Sequence, residues 1–250
     1  MAAGAVEVDI TSANAKAGAI FDGVDDKIDL GNSSILKPTQ FTITAWVMGS
    51  GNYSSVYPHV IKAGAVHCGY GLAFNGVAII TLTIGTGAGT TMNVSALNDD
   101  FSYFRFVAGT YDGTTGVIYL DGVEKARNNG SMAYDANNIF IGNRDSDNRY
   151  WSGSISDLRM FNRVLTETEI NMLYNGEDYK KNLIGQWKLN TDYKDNIGSN
   201  DGTNIGSRLG TTDSAIAAAV AADRTTPNDV YLIASTGKNQ VVTAVIEEAP

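Results

Sequence analysis

Residues 153–176 read GSISDLRMFNRVLTETEINMLYNG, and the spacing of apolar side chains changes once within them. As far as Asn162 the residues alternate, which predicts a strand with Ile155, Asp157 and Arg159 on one face and Ser156, Leu158 and Met160 on the other. From Thr166 the period becomes helical. Thr166 stands as an N-cap with Glu169 three places on, Ile170, Leu173 and Tyr174 share one stripe, and Gly176 supplies a left-handed stop. A strand that runs directly into one short helix is therefore the predicted local order.

Upstream the chain is written almost wholly in the strand alphabet. FTITAWVM (41–48), VAIITLTIG (77–85), FSYFRFVAGTYD (101–112) and NIFIGN (138–143) are rich in β-branched and aromatic residues and bounded by Gly, Asn and Asp. GVIYLDGVEKA (116–126) places Asp121-Gly122 between two such runs, the dipeptide that supplies the positive φ angles of a two-residue hairpin. With 250 residues, 27 of them glycine, and only 18% charged, the chain has room for a sizeable β core with many tight turns.

Composition also excludes classes of partner. A net charge of −9 with no basic run repels a phosphate backbone, so nucleic acid is not an expected partner. No apolar stretch is long enough to span a bilayer, and MAAGAVEVDITSAN lacks both the basic start and the hydrophobic segment of a cleaved signal. Membrane insertion and export by a cleaved signal are accordingly not expected. The single cysteine, Cys68, has no internal disulfide partner and reads as a small apolar group.

Taken in order, FDGVDDKIDLG (21–31), FTITAWV, FRFVAGTYDGTTGVIYLDG, IFIGN and GSISDLRMFNRVLTETEINMLYN resemble the laminin-G-like, concanavalin A-like lectin/glucanase superfamily over residues 19–175. The resemblance implies an all-β fold, a jelly-roll sandwich of two antiparallel sheets with one short helix after it, and the count of strand-like runs agrees. NLIGQWKLNTDYKDNIGSNDGTNIGS (182–207) looks like the segment that opens such domains, yet here it follows the helix. Residues 183–207 are thus a displaced opening segment of a sandwich spanning 1–210. LIGQWKL either closes the sheet in cis or fills the same slot in a neighbouring subunit. Residues 211–250 form an extension: an alanine-rich helix over 211–224, then an apolar hairpin of DVYLIAST and QVVTAVIEEA. The extension is either a plain terminus or an assembly arm.

Catalysis is not expected. Glucanases of this superfamily alternate three carboxylates on one strand; here Glu7 and Asp9 start such a series, but Thr11 and Ser12 stand where the third belongs. His59 and His67, the two imidazoles, have no zinc-ligand spacing. GTGAGTT (85–91) lacks the lysine of a phosphate loop and reads as a hairpin.

Two binding expectations remain. FDGVDDKIDLG offers oxygens suited to a hard cation or simply makes a sharp turn. The resemblance implies a structural calcium, with Asp157 as leading side-chain ligand and Asp22 and Asn190 behind it. NRDSDNRYWSG (143–153) sets Arg144, Asp145, Asn148, Tyr150 and Trp151 in one loop, planar polar groups beside aromatic faces of the kind that hold a glycan, unless Trp151 anchors the loop in the core. Trp46 and Trp187, in strand patterns, are expected in the core.

These features favour a non-catalytic structural and adhesive protein of a virus particle, a phage capsid decoration, fibre or tail component carrying a lectin-like domain. Such a protein is made in the host cytoplasm and resides on the virion, meeting other virion subunits or its own copies through its termini. The alternatives are an extracellular or cell-surface carbohydrate-binding or adhesion module of a secreted bacterial protein and, third, a glycoside-active enzyme.

Overall fold

The computed structural model describes residues 16–49, 57–74, 79–89, 91–95, 101, 103–144 and 149–210, together with the backbone of three short terminal strands. In chain order the strands are β1 (Val6–Val8), β2 (Gly18–Asp22), β3 (Lys27–Asp29), β4 (Phe41–Gly49), β5 (His59–Ala63), β6 (Cys68–Phe74), β7 (Ile80–Thr86), β8 (Thr91–Ser95) and β9 (Arg105–Tyr111). Then come β10 (Thr115–Leu120), β11 (Val123–Asn129), β12 (Ile139–Ile141), β13 (Ser152–Phe161), helix α1 (Glu167–Tyr174), β14 (Leu183–Trp187), β15 (Thr203–Ile205), β16 (Arg208–Gly210), β17 (Val230–Ile233) and β18 (Val242–Ile246).

Two antiparallel sheets face each other, as the jelly-roll expectation requires. One has eight strands in the order β11-β10-β9-β4-β13-β2-β16, with β14 also on β13; the other has seven in the order β15-β3-β12-β5-β6-β7-β8. Alternate residues of β4 show how the layers form. Phe41, Ile43, Ala45 and Val47 point into the core between the sheets, where they join Ile61, Tyr70, Leu72, Leu82 and Ile84, while Trp46 and Met48 point outward. That outer face is covered by α1, whose Ile170 and Leu173 bury against Trp46, Phe106 and Tyr119. Each of the two helix side chains stabilises the contact by roughly 1.5–3 kcal/mol. The helix starts and stops where the sequence predicts, with a Thr166–Glu169 capping box and Gly176 at φ +87°. Asp121 and Gly122 both have positive φ, as their hairpin demands, and β7 and β8 pair as the hairpin expected around GTGAGTT.

Strand β13 departs from simple alternation. Strand β4 lines one of its sides throughout, but the other side is shared end to end: β2 pairs with Ser152–Ile155 and β14 with Leu158–Phe161. At the changeover one extra residue enters β13 and Asp157 adopts φ +44°. The extra residue inverts the parity of the strand, so Ile155, Leu158 and Met160 all reach the core. The predicted faces are therefore corrected beyond Ser156.

Asp157 ties this junction together. Its N–H donates to the Lys188 carbonyl (3.1 Å), and its carboxylate accepts from Arg159 Nη2 (2.8 Å) and Gln186 Nε2 (2.8 Å). The segment LIGQWKL thus closes the sheet in cis, and Trp187 lies fully buried. The remainder of the displaced segment adds β15 to β3, and β16, just after it, pairs with β2 of the other sheet.

FDGVDDKIDLG is the corner where the chain crosses from one sheet to the other. Asp26 accepts from the Asp22 N–H (2.8 Å), Asp22 from the Val24 N–H (2.8 Å), and Asp29 from the Gly31 N–H (2.7 Å). Gly206, at φ +85°, makes the matching crossing; a Cβ there would lie 2.0 Å from Asp26 Oδ1. At the termini β1 pairs with β18 and β18 with β17, which gives the expected C-terminal hairpin and adds an N-terminal strand to it. The helix predicted over 211–224 and Asp9 lie outside the described residues.

Two outcomes follow. Asp157→Ala strips Arg159 and Gln186 of their acceptor at a left-handed position, and is expected to cost about 1–3 kcal/mol in a denaturant melt, with Asp157→Asn losing less because Asn tolerates that backbone. Glu169 is held down to about 2 by Arg163, the Tyr179 hydroxyl and the Thr166 N–H. Its contribution is present above the ordinary carboxylate range and lost as pH falls toward 2. The melting-temperature gap between wild type and Glu169→Gln is therefore expected to be widest above pH 5 and to close on acidification.

Candidate functional site

The site begins with a second irregularity. Strand β5 slips register against β6 between His59 and Ile61, so Val60 and Ile61 both enter the core and His59 and Lys62 both emerge on the opposite face of the seven-stranded sheet. Lys62 stands opposite Gly71, where a Cβ would lie 2.7 Å from Lys62 Cδ, 2.5 Å from Thr83 Oγ1 and 3.2 Å from the His59 ring. A side chain at 71 would displace all three.

The loop after β12 is drawn onto the same place. Gly142 N–H donates to the Val60 carbonyl (3.0 Å), Trp151 N–H to the Gly142 carbonyl (2.7 Å) and His59 N–H to the Arg149 carbonyl (3.1 Å). Trp151 is completely buried, edge-on to Phe74 at 4.8 Å, so the loop hangs from the core by this ring. Arg149 and Tyr150 are left half-buried at the surface, with the Arg149 guanidinium 5.7 Å over the ring of half-buried Tyr57, itself at φ +65°. Arg144, Asn143 and His59 are each buried.

The electrostatics of this spot oppose those of the whole chain. The Lys62 amine donates to the carbonyls of Ala63 (2.6 Å) and Cys68, and burial, aided by the charge of Arg144, lowers it to about 7. Burial, then Lys62 and Arg144, hold His59 well below the ordinary imidazole range, so the ring is neutral. Among the described residues Asn143 Oδ1 is buried without a hydrogen-bond partner. The Cys68 thiol, half-buried, is pushed up first by burial and then by its bond to Asp135, which makes it unreactive.

Of the residues predicted to hold a glycan, Arg144 and Tyr150 are brought to this site, whereas Asp145 and Asn148 lie outside the described residues. Trp151 is corrected: its ring is core and offers no face to a sugar. His59, Lys62, Asn143, Arg149 and Tyr57 were not anticipated. Strict alternation puts His59 and Lys62 on opposite faces, and only the slip at Val60 unites them.

The set predicted for calcium does not fit one ion. Asp22 stands opposite Ser152, five residues from Asp157 along β13, a span of about 16 Å. Both Asp157 oxygens are engaged by Arg159 and Gln186, and exposed Asn190 accepts from the Thr191 hydroxyl, 3.4 Å away. Carboxylate oxygens of Asp22, Asp25 and Asp26 lie within 4.8 Å of one another. Those of Asp22 and Asp26 accept the turn's own N–H groups, and burial, with the charges of its neighbours, raises the Asp26 carboxyl.

With this geometry in place, comparison with known proteins decides the family. A family model described as concanavalin A-like lectin/glucanases superfamily matches residues 22–171. The chain belongs to that superfamily. No curated protein matches the sequence. Among solved structures, a candidate carbohydrate binding protein from Bacteroides ovatus is similar with a TM-score of 0.62 at 18% identity, covering 79% of this chain and 60% of that one. The chain therefore spans about three fifths of that protein's length. Domain 4 of an extracellular arabinanase from Geobacillus stearothermophilus, in complex with arabinotriose, aligns at TM-score 0.51 and 18% identity over 70% of this chain and 82% of the other. The CBM40 of the Ruminococcus gnavus IT-sialidase, bound to α2,3 sialyllactose, aligns at 0.52 and 12% over 64% and 99%. These likenesses establish the shared fold. Among the described residues no helix is long and apolar enough to cross a membrane.

Lys62 supplies a test of the buried cluster. Between about 7 and its ordinary value the unfolded chain binds the extra proton, so stability is expected to rise with pH across that window. Lys62→Met should flatten the rise when melting temperatures are compared at pH 6.5 and 9.5.

Proposed function

We propose that the chain is a non-catalytic carbohydrate-binding module that takes sugars where Tyr57, Arg149 and Tyr150 reach the surface beside His59. The observation that carries this reading is the pairing of surface and buried groups. Half-buried rings and a guanidinium stand at the surface, and among the described residues the buried Asn143 Oδ1 of the same loop has no hydrogen-bond partner. A pyranose presents an apolar face for the former and hydroxyl groups for the latter. The arabinotriose and sialyllactose complexes of the fold relatives support it. The absence of chemistry is supported by the use of Asp22 and Asp26 as turn acceptors rather than as a pair across a cleft.

The narrower reading places the module on a virus particle, as a phage decoration, fibre or tail component made in a host cytoplasm. The terminal strands favour it. Strand β1 joins β18 and β17 in a separate three-stranded sheet whose outer strands leave hydrogen-bonding edges for another subunit. A module of a secreted bacterial protein is the alternative, and electron micrographs of the purified chain separate the two: ordered rings or lattices favour the particle, dispersed monomers the module.

On a glycan array the full chain is expected to retain at least one oligosaccharide class. Tyr57→Ala and Tyr150→Ala should each weaken titrated affinity about three- to tenfold at unchanged melting temperature. Failure to retain any glycan, or turnover of a polysaccharide, would sink the proposal.

A further inference from the structure

We propose that two copies of this chain pair through one face of the three-stranded terminal sheet, which buries that face between them. The pairing concerns the face of β1, β17 and β18 rather than their edges, and it goes beyond the carbohydrate reading.

The face follows from the register. Residues opposite one another in an antiparallel ladder share a face, and neighbours along a strand alternate. Strand β18 sets Ala244 across from Val6 on one side and from Leu232 on the other, Val242 across from Val8 and Ile246 across from Val230, with no slip in either ladder. One face thus carries Val6, Val8, Val230, Leu232, Val242, Ala244 and Ile246, every one aliphatic. Tyr231, Ile233, Thr243 and Val245 belong to the other face, together with Glu7, the one charged residue of these strands.

Such a face needs cover. Three strands hold together in water when an apolar face is packed against something, and these strands form a sheet separate from the two of the sandwich. Among the described residues their main contacts are with one another. Three features point to a second copy as the cover. An aliphatic face matches an identical face, and sheets stacked in this way lie about 10 Å apart, as in any sandwich. A chain of net charge −9 repels its own copies, and an uncharged face is where two of them meet with least repulsion. The area also suffices: seven aliphatic residues remove roughly 400–800 Å² from water on each copy, about 800–1,600 Å² in all, which reaches the range of stable interfaces, about 1,200–2,000 Å². By contrast the segment ahead of β17, TTDSAIAAAVAADR (211–224), offers only Ile216 and Val220 as larger aliphatic residues, too few to match the face. A paired chain presents two copies of the sugar site, and avidity then raises its hold on a glycan-bearing surface without a new contact. That consequence rests on the carbohydrate reading; the pairing itself does not, and its test uses no sugar.

Sedimentation equilibrium of the full chain between about 1 and 100 µM tests the pairing. The mass is expected to rise with concentration from 26.6 kDa toward twice that value. Ala244 stands at the centre of the face, between Val6 and Leu232, so Ala244→Glu and Ala244→Lys should each weaken the dimer about tenfold or more. Thr243→Lys, one position along and on the other face, should leave it unchanged within about twofold. Mixing equal amounts of the Ala244→Glu and Ala244→Lys chains should restore the dimer, because opposite charges then meet across the twofold axis. A wild type that stays at 26.6 kDa throughout overturns the proposal. So does a dimer indifferent to Ala244→Glu, which puts the contact elsewhere. A loss that mixing does not restore overturns it as well, because the face is then covered by its own chain.

Discussion

Strand β13 carries three partners on two sides, and the sandwich depends on how it does so. Strand β4 occupies one side, while β2 and β14 meet end to end on the other. Two strands arriving along one edge cannot both continue the ladder without an adjustment where they meet, and the extra residue at Asp157 provides it. The ion pair with Arg159 and the bond to Gln186 then hold the incoming β14 to the bulge that admits it. A segment that follows the helix in sequence thereby completes a sheet begun more than 150 residues earlier.

Closing the sheet this way divides the outer surfaces. The eight-stranded sheet turns Trp46, Phe106 and Tyr119 outward, and α1 covers them immediately after β13 because the capping box starts the helix just past the strand. The seven-stranded sheet instead turns polar groups outward, Lys62 and His59 on β5, Thr81 and Thr83 on β7. One face is covered by the helix, and the other carries the candidate site.

The two bulges do comparable work. Each inserts a single residue, at β13 and at β5, and each moves side chains to the face that alternation denies them. In β13 the result is a better-filled core, with Leu158 and Met160 inside. In β5 it is a pair of basic groups brought side by side at a cost in desolvation. Trp151 links the two regions, since its ring is fixed in the core while its flanking residues reach the surface beside His59.

Much of this fold was written locally. Thr166, Glu169 and Gly176 delimit the helix because caps act within a few residues of themselves, and Asp121-Gly122 sets its hairpin because positive φ is a property of the dipeptide. The strands and the burial of Trp46 and Trp187 were legible from alternation for the same reason, although Trp46 is buried under α1 and not between the sheets. Asp157 was not, because whether a strand aspartate meets a cation, an arginine or a glutamine depends on Gln186, which arrives from a different element. Of the candidate site the sequence yielded Arg144 and Tyr150, clustered in one loop, but not His59, Lys62, Asn143, Arg149 or Tyr57. Registers between strands are chosen by the fit of two sheets rather than by either strand alone, so only the tertiary structure could decide that a one-residue slip would set His59 beside Lys62 and bring the loop after β12 against them.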